Sequence, residues 1–225
     1  MADFFEVVKA RRSVRRYTTD QVSDEDIQKV LEAGRWAPTG GNTQPCEFIL
    51  VRDKHLLQSI GSLLVADREK LFAYDPLFPG SRVDYLKNIG AMIVVCADPR
   101  FTEFYPLGDR RDSILYLSVG AVVENMFLAA TALGLGTVWI TIKDGAEREL
   151  RDLLGIPRDM EVHVVMPLGY PGVEEKHLYR RELSEVVHRD RYESGKRVPD
   201  AVLEQALSSK ESRRQYRLKG PGSFK

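Results

Sequence analysis

The stretch A-P-T-G-G-N-T-Q-P at residues 37–45 decides how the rest of the chain is interpreted, because it interrupts a helical pattern with proline, glycine and asparagine. Proline fixes its own φ angle and glycine reaches positive φ without strain, so the run predicts a tight loop. Such a loop leaves backbone N–H and C=O groups free to meet a flat polar ring. A plain surface turn is the alternative interpretation of this run taken alone.

A cluster of four arginines precedes this loop in the stretch R-R-S-V-R-R-Y at residues 11–17. A guanidinium group can donate two parallel hydrogen bonds to phosphate oxygens, and it keeps its charge at every working pH. Taken alone, such a cluster usually lies on a solvated face or supplies favourable charge at the C-terminal end of a helix. An apolar helix with a capping signal at residues 23–26 separates the two stretches. Their order and spacing together predict a site for a nucleotide-type cofactor.

Strand-like and helix-like segments alternate along the remaining sequence, with neither an internal repeat nor a clear second domain. Residues 91–97 are continuously apolar, as expected for a strand covered on both faces, and residues 112–133 have apolar side chains at helical spacing. Residues 71–84 contain two prolines and a glycine, which predicts a mobile or lid-like connection. Further helices are predicted at 3–10, 24–35, 54–70, 144–154 and 200–208, and further strands at 47–52, 137–142 and 161–168.

Composition is that of an ordinary globular protein, with 225 residues of which 43% are hydrophobic and 29% charged. Lysine plus arginine equals aspartate plus glutamate at 33 each, so no bulk charge attracts nucleic acid or an anionic membrane. The two cysteines are too few for a disulfide framework, and we expect both to be free thiols. With neither a secretion signal nor an uninterrupted apolar run near ~20 residues, a cytoplasmic location is expected.

The sequence motifs of other cofactor-binding and enzyme classes are absent or incomplete in this chain. The glycines at 134 and 136 lie between a helix and a strand, the reverse of the order in a dinucleotide-binding fingerprint. The four histidines and two cysteines lack the spacing of metal ligands, so no metal site is expected. Neither a phosphate-binding G-x-x-x-x-G-K nor a G-x-S-x-G elbow occurs, and kinase and hydrolase interpretations lose their support.

Four blocks in this order make the chain resemble the nitroreductase family. The blocks are R-R-S-V-R at 11–15, A-P-T-G-G-N-T-Q-P at 37–45, A-L-G-L-G-T-V-W-I-T at 132–141, and P-L-G-Y-P at 167–171 followed by Y-R-R-E-L-S-E-V-V-H at 179–188. The resemblance runs from about residue 4 to residue 190. It implies an α+β fold of three layers (α/β/α), with a central, mostly antiparallel sheet flanked by helices. It also implies an FMN-binding domain at 1–190 and a homodimer. The basic C-terminal extension at 191–225 lies beyond the resemblance: a solvated tail is its default interpretation, and an extension exchanged in the homodimer is the fold that we expect.

The resemblance further implies an FMN-dependent oxidoreductase that takes hydride from NADH or NADPH and reduces nitroaromatic, quinone or related small acceptors by a ping-pong mechanism. Flavin N5 would perform the transfer, so no catalytic side chain is assigned. One alternative is specialised flavin chemistry within the family, as in a reductive dehalogenase, a flavin-cleaving enzyme or an ene-reductase or oxidase. Halotyrosine deiodinases share R-R-S-V-R, but they use a lid in which Glu, Tyr and Lys hold an amino-acid zwitterion. We find no match to these three residues at 66–87, so we rank reductive dehalogenation below nitro or quinone reduction. A nucleotide- or nucleic-acid-binding module with basic runs at 11–16 and 210–219 is the alternative of another class.

Carried over residue by residue, the resemblance assigns cofactor-binding roles to three groups of positions. The phosphate and ribityl chain would be held by Arg11, Arg12, Ser13 and Arg15, with Arg180 or its neighbour Arg181 completing the clamp. The flavin ring would be bordered by Pro38, Thr39 and Asn42, from the other subunit, and by backbone N–H groups of Trp139, Ile140 and Thr141. Cys46 stands where the family commonly has tryptophan, and a small buried side chain is favoured over a redox-active thiol there.

Overall fold

A four-stranded antiparallel sheet organises the computed structural model, which describes residues 3–74, 86, 89–104, 111–142, 144–175 and 178–224. Its strands are β1 (Cys46–Val51), β2 (Ala91–Ala97), β3 (Gly136–Thr137) and β4 (Glu161–Gly169), in the spatial order β1-β2-β4-β3. The helices are α1 (Phe4–Ala10), α2 (Asp24–Arg35), α3 (Lys54–Tyr74), α4 (Arg111–Ala132), α5 (Asp144–Leu154), α6 (Leu183–Val186), α7 (Asp200–Leu207) and α8 (Lys210–Lys219).

The inner strand β2 is covered by helices on both faces of the sheet. All seven of its residues are buried, as the continuous apolar run predicts. Side chains alternate across a strand, so Ile93 and Val95 pack on one face with α2 and α4, whereas Met92 and Val94 pack on the other with α3 and α5. The predicted fold class, a three-layer α+β architecture around an antiparallel sheet, is confirmed.

Helix α4 is the core helix of the first face. Its buried side chains recur at helical spacing, and they include Val119, Val122 and Met126. By length and composition the part Asp112–Ala132 could also cross a membrane, and it is the one such helix among the described residues. Its packing against the sheet and α2 is that of a core helix in a globular protein.

Strand β3 is shorter than the predicted strand at 137–142, because β4 contains a proline opposite it. Thr137 pairs with Leu168 and Ile140 pairs with Val165 in one continuous register, which places Val138 opposite Pro167. Proline has no backbone N–H, so the ladder of hydrogen bonds is interrupted at that pair. The chain therefore runs along β4 to residue 140 with only an isolated bridge after β3.

The chain divides into two units, Met1–Lys70 with Arg82–Glu175, and Leu71–Ser81 with Lys176–Lys225. The sheet lies in the first unit, and the predicted boundary after residue 190 falls inside the second. Helix α3 continues to Tyr74, and the rest of the predicted lid segment at 71–84 lies outside the described residues. The second unit contains the predicted helix α7 and also α8, for which the sequence analysis predicted no helix.

Candidate cofactor site

The arginine-rich stretch lies directly against the edge strand β3. The backbone N–H of Val14 donates to the carbonyl of Thr137 at 2.8 Å, and Ser13 forms a parallel bridge with Thr137. A Cβ atom at Gly136 would lie 2.5–2.8 Å from three carbons of the Val14 side chain, so only glycine permits this approach. Two of the blocks that carry the family resemblance are thereby brought together in space.

Beyond β3, the chain offers backbone donors on its outer side. Ile140 exchanges two hydrogen bonds with Val165, donating at 3.2 Å and accepting at 2.9 Å. Successive N–H groups of an extended chain point in opposite directions, so those of Trp139 and Thr141 face away from β4. Within the described part of the chain, neither has a backbone acceptor. This corrects one expectation: the N–H of Ile140 is used inside the sheet and is not available to a ligand.

The loop at 39–44 folds as a tight turn with strained backbone. The N–H of Asn42 donates to the carbonyl of Thr39 at 2.9 Å, and the N–H of Gln44 donates to the Thr39 hydroxyl at 3.0 Å. Gly41, Asn42 and Gln44 all have positive φ, between 52° and 58°. Non-glycine residues adopt this region at a cost, and such strain concentrates at ligand sites. Pro38 and Asn42 are exposed, and Thr39 is half-buried.

Helix α4 holds this loop through a residue that the sequence analysis missed. The buried hydroxyl of Ser118 accepts the N–H of Gly40 at 3.0 Å and donates to the carbonyl of Ile114 at 2.8 Å. A Cβ atom at Gly40 would lie 2.2 Å from Cγ2 of Ile114, so the loop rests directly on the helix. A serine within the apolar stripe of a core helix is the only sequence signal for this contact.

The arginines of the first stretch have different surroundings. Arg11 forms an ion pair with Glu124 of α4 at 3.3 Å, and Arg12 donates to the carbonyls of Lys9 and Arg11 at the end of α1. Arg12 therefore caps the C-terminal end of α1, which agrees with the alternative interpretation of the cluster as favourable charge at a helix end. Arg15 is exposed, and its guanidinium donates to the carbonyl of Ser13 at 3.1 Å.

The adjacent residues Arg180 and Arg181, in the second unit, have different environments. Arg181 donates to the carbonyls of Glu185 at 2.5 Å and Lys196 at 3.0 Å. Arg180 is exposed and donates to the carbonyl of its neighbour Tyr179 at 3.1 Å. Of the two, Arg180 is the one whose side chain remains directed to the surface.

Both cysteines are free; Cys96 is buried and Cys46 is half-buried, and desolvation makes both thiols poor nucleophiles. Cys46 lies opposite Ala97 and Cys96 lies opposite Glu47, so the two thiols project to opposite faces of the sheet. Burial raises the pKa of the Cys46 thiol to about 12 and that of Cys96 to about 11. A protonated thiol does not react, which supports the structural interpretation of Cys46. Among the described residues, no group of three or more His, Cys, Asp or Glu side chains could hold a metal ion.

The fold and this arrangement define a three-layer α+β protein with polar groups gathered at the open edge of its sheet. A family model described as "Nitroreductase family" matches residues 8–170. The chain belongs to the nitroreductase family, which confirms the resemblance found in the four sequence blocks and the expectation of an oxidoreductase.

Similar proteins agree with this assignment. A protein of Archaeoglobus fulgidus named NADH dehydrogenase/NAD(P)H nitroreductase is 36% identical over 197 residues, which cover 85% of this chain and 100% of that protein. An iodotyrosine deiodinase of Thermotoga neapolitana is 27% identical and covers 81% of this chain and 96% of its own length. The crystal structure of a nitroreductase in complex with FMN from Desulfovibrio desulfuricans is 28% identical, with a TM-score of 0.65 over 86% of this chain and 99% of that chain.

Proposed function

We propose that the protein is an FMN-dependent oxidoreductase that takes hydride from NADH or NADPH and reduces nitroaromatic compounds, quinones or related small acceptors. The observation that carries the proposal is the pairing of residues 13–14 with Thr137, since it joins the arginine-rich stretch to the segment whose N–H groups face outward. The FMN bound to the Desulfovibrio desulfuricans relative supports the choice of cofactor.

The residues at the sheet edge fit FMN by the chemistry of their donors. Arg15 and Ser13 would meet the phosphate and ribityl chain together with Arg11, Arg12 and Arg180. Each charge-assisted hydrogen bond contributes about 1.5–3 kcal/mol, so several of them can hold a dianion out of water. The outward N–H groups of Trp139 and Thr141 are the donors that we assign to the flavin ring.

The bound FMN supplies the ring that accepts and then gives up hydride. The chain itself contributes orientation and fixed hydrogen-bond donors, and no side-chain acid or base is required. The edge-to-face contact of Trp139 with Phe127, 6.4 Å between centroids, helps to hold the donor segment in place. If NAD(P)H and the electron acceptor bind in turn at the same place, the mechanism is ping-pong. Double-reciprocal plots of initial rate against one substrate, at several fixed concentrations of the other, should then be parallel lines.

A homodimer is part of the proposal. Phe4 and Phe5 of α1 are 61% and 68% exposed, and Leu117 of α4 is 74% exposed. Large exposed apolar side chains of this kind are typical of a surface that a second copy covers. In such a dimer we place the loop residues Pro38, Thr39 and Asn42 beside the ring bound by the other subunit, and the C-terminal extension exchanged between subunits. A cytoplasmic enzyme without a nucleic-acid partner is the setting that the free thiols and balanced charge favour.

The colour of the purified protein tests the cofactor and the donor. We expect a yellow protein that releases FMN on denaturation and is bleached by NADH or NADPH under argon. A panel of nitroaromatics, quinones, enones and halophenols added to the bleached protein then identifies the acceptor class. A colourless protein that binds oligonucleotides would overturn the proposal in favour of a nucleic-acid-binding module.

Reductive dehalogenation is the second candidate, and the deiodinase relative favours it. Only residues 66–74 and 86 of the segment 66–87 are described. Halide release from a halotyrosine by the reduced protein would establish this activity. Halide release at the rate of a flavin-free control, alongside turnover of quinones, would exclude it.

A further inference from the structure

Two contacts fasten the end of helix α8 to Tyr179, the residue before Arg180. The backbone N–H of Tyr179 donates to the carbonyl of Arg217 at 3.0 Å. The ring of Tyr179 covers Gly220, the residue that ends the helix, so closely that a Cβ atom there would lie 2.3 Å from two ring carbons. The helix end is therefore joined to Tyr179 by a backbone hydrogen bond and by packing.

Gly220 is required at this point for two independent reasons. The ring of Tyr179 leaves no room for a side chain. The backbone angles of φ 71° and ψ −167° also lie in a region that is open essentially to glycine alone. Gly222, two residues further, provides a matched comparison, because its φ is not positive and a Cβ atom there would meet no other group within 4 Å.

Arg180 thus lies between two residues that are both held. Its neighbour Arg181 is fixed on the other side by the carbonyls of Glu185 and Lys196. The Arg180 side chain itself is exposed. A flexible side chain on a fixed backbone loses less freedom when it binds a ligand, which strengthens binding.

We propose that helix α8 and Gly220 position Arg180 for the phosphate of FMN. The contacts of Tyr179 with Arg217 and Gly220 hold the backbone of residues 179–181, and the guanidinium group is presented from it. The inference rests on the proposed function, in which Arg180 binds that phosphate. The basic C-terminal helix then acts through Tyr179 on the backbone that carries Arg180.

The test compares two flavins that differ only in the phosphate. The dissociation constants of FMN and riboflavin are measured by quenching of flavin fluorescence on the full-length, flavin-depleted chain. For Gly220→Ala we expect the dissociation constant of FMN to rise about tenfold, the loss of one charge-assisted hydrogen bond. Riboflavin affinity should not change, because riboflavin has no phosphate to lose. Gly222→Ala should leave both values at those of the wild type.

Two further variants keep the test decisive. Tyr179→Ala removes the ring without straining Gly220, and it should give the same FMN-specific loss of affinity. It replaces Gly220→Ala in the test if that variant does not fold. In an Arg180→Ala background, Gly220→Ala should add no further loss, because residues that act through one group are non-additive.

The outcomes separate the inference from the function on which it rests. Unchanged FMN affinity in Gly220→Ala and Tyr179→Ala, or an equal loss for FMN and riboflavin, overturns the positioning role while leaving the flavoenzyme intact. A wild-type chain that binds neither flavin overturns the proposed function itself.

Discussion

The Ser118 hydroxyl joins helix α4 to Gly40, whose N–H it accepts at 3.0 Å. The same hydroxyl donates to the carbonyl of Ile114 at 2.8 Å, so its hydrogen-bonding capacity is used on both sides. This one buried hydroxyl therefore fixes the position of the strained loop at 39–44 relative to helix α4. The loop that carries the most distinctive sequence block is thus held by a residue outside every block.

Ser118→Ala should lower the free energy of unfolding by about 1–3 kcal/mol, because the Gly40 N–H loses its acceptor. Urea denaturation measures the change, and Ser118→Thr, which keeps a hydroxyl, should retain part of the stability. Ser62→Ala is the matched control, since Ser62 is exposed in helix α3. Equal stability of the two alanine variants would show that the hydrogen bond is not an anchor.

Gly136→Ala should destabilise the protein by about 1–3 kcal/mol, because the new methyl group would overlap the Val14 side chain. Adding Val14→Ala should recover part of this loss, since the two residues are in contact. Gly145→Ala, at a position with open space, is the control. Strictly additive effects of the Gly136 and Val14 substitutions, measured by thermal unfolding, would contradict the close packing.

Arg15→Ala should weaken FMN binding about tenfold or more, and it should leave riboflavin binding unchanged. Arg16→Ala is the control, since Arg16 is the neighbouring exposed arginine with no assigned role. Fluorescence titration of the flavin-depleted chain measures both. Wild-type FMN affinity in Arg15→Ala would refute its role at the phosphate.

The two cysteines should resist thiol reagents in the folded protein. With the pKa of Cys46 raised to about 12 and that of Cys96 to about 11, both thiols are protonated at pH 8. A chromogenic disulfide reagent should therefore label neither within minutes, and it should label two thiols per chain in urea. Rapid labelling of native Cys46 would revive the redox-active interpretation.

Protonation of His163 should make the protein less stable below neutral pH. Burial lowers the pKa of His163 from its ordinary 6.5, against an opposing effect of Glu147. Glu161 lies 3.2 Å from its Nε2 atom, and the Tyr116 ring contacts it edge-on. The unfolded chain therefore binds the proton more readily, and stability that is complete above about pH 6.5 falls as the pH decreases toward the folded-state pKa. His163→Gln should flatten this dependence in urea titrations at pH 7.5 to 5.5, whereas His55→Gln, at an exposed position, should not.

Local patterns predicted most of the elements, because their signals lie within a few residues of each other. The buried strand β2 and the core helix α4 agree with the prediction to within one residue at each end. The end of β3 was missed because it depends on Pro167 in another strand. Helix α8 was missed because its sequence is almost entirely polar, with no apolar stripe to reveal it.

The sequence by itself determined the family and the layered α+β fold, since apolar periodicity and four ordered motifs are properties of the chain alone. Only the tertiary structure decided which polar groups remain available to a ligand. It uses the N–H of Ile140 in pairing with Val165 and the guanidinium of Arg181 in capping carbonyls. The physical reason is that a donor can bind a ligand only if no other group of the folded chain already accepts its hydrogen bond. Which group accepts it is settled when the chain folds, and a sequence motif does not contain that information.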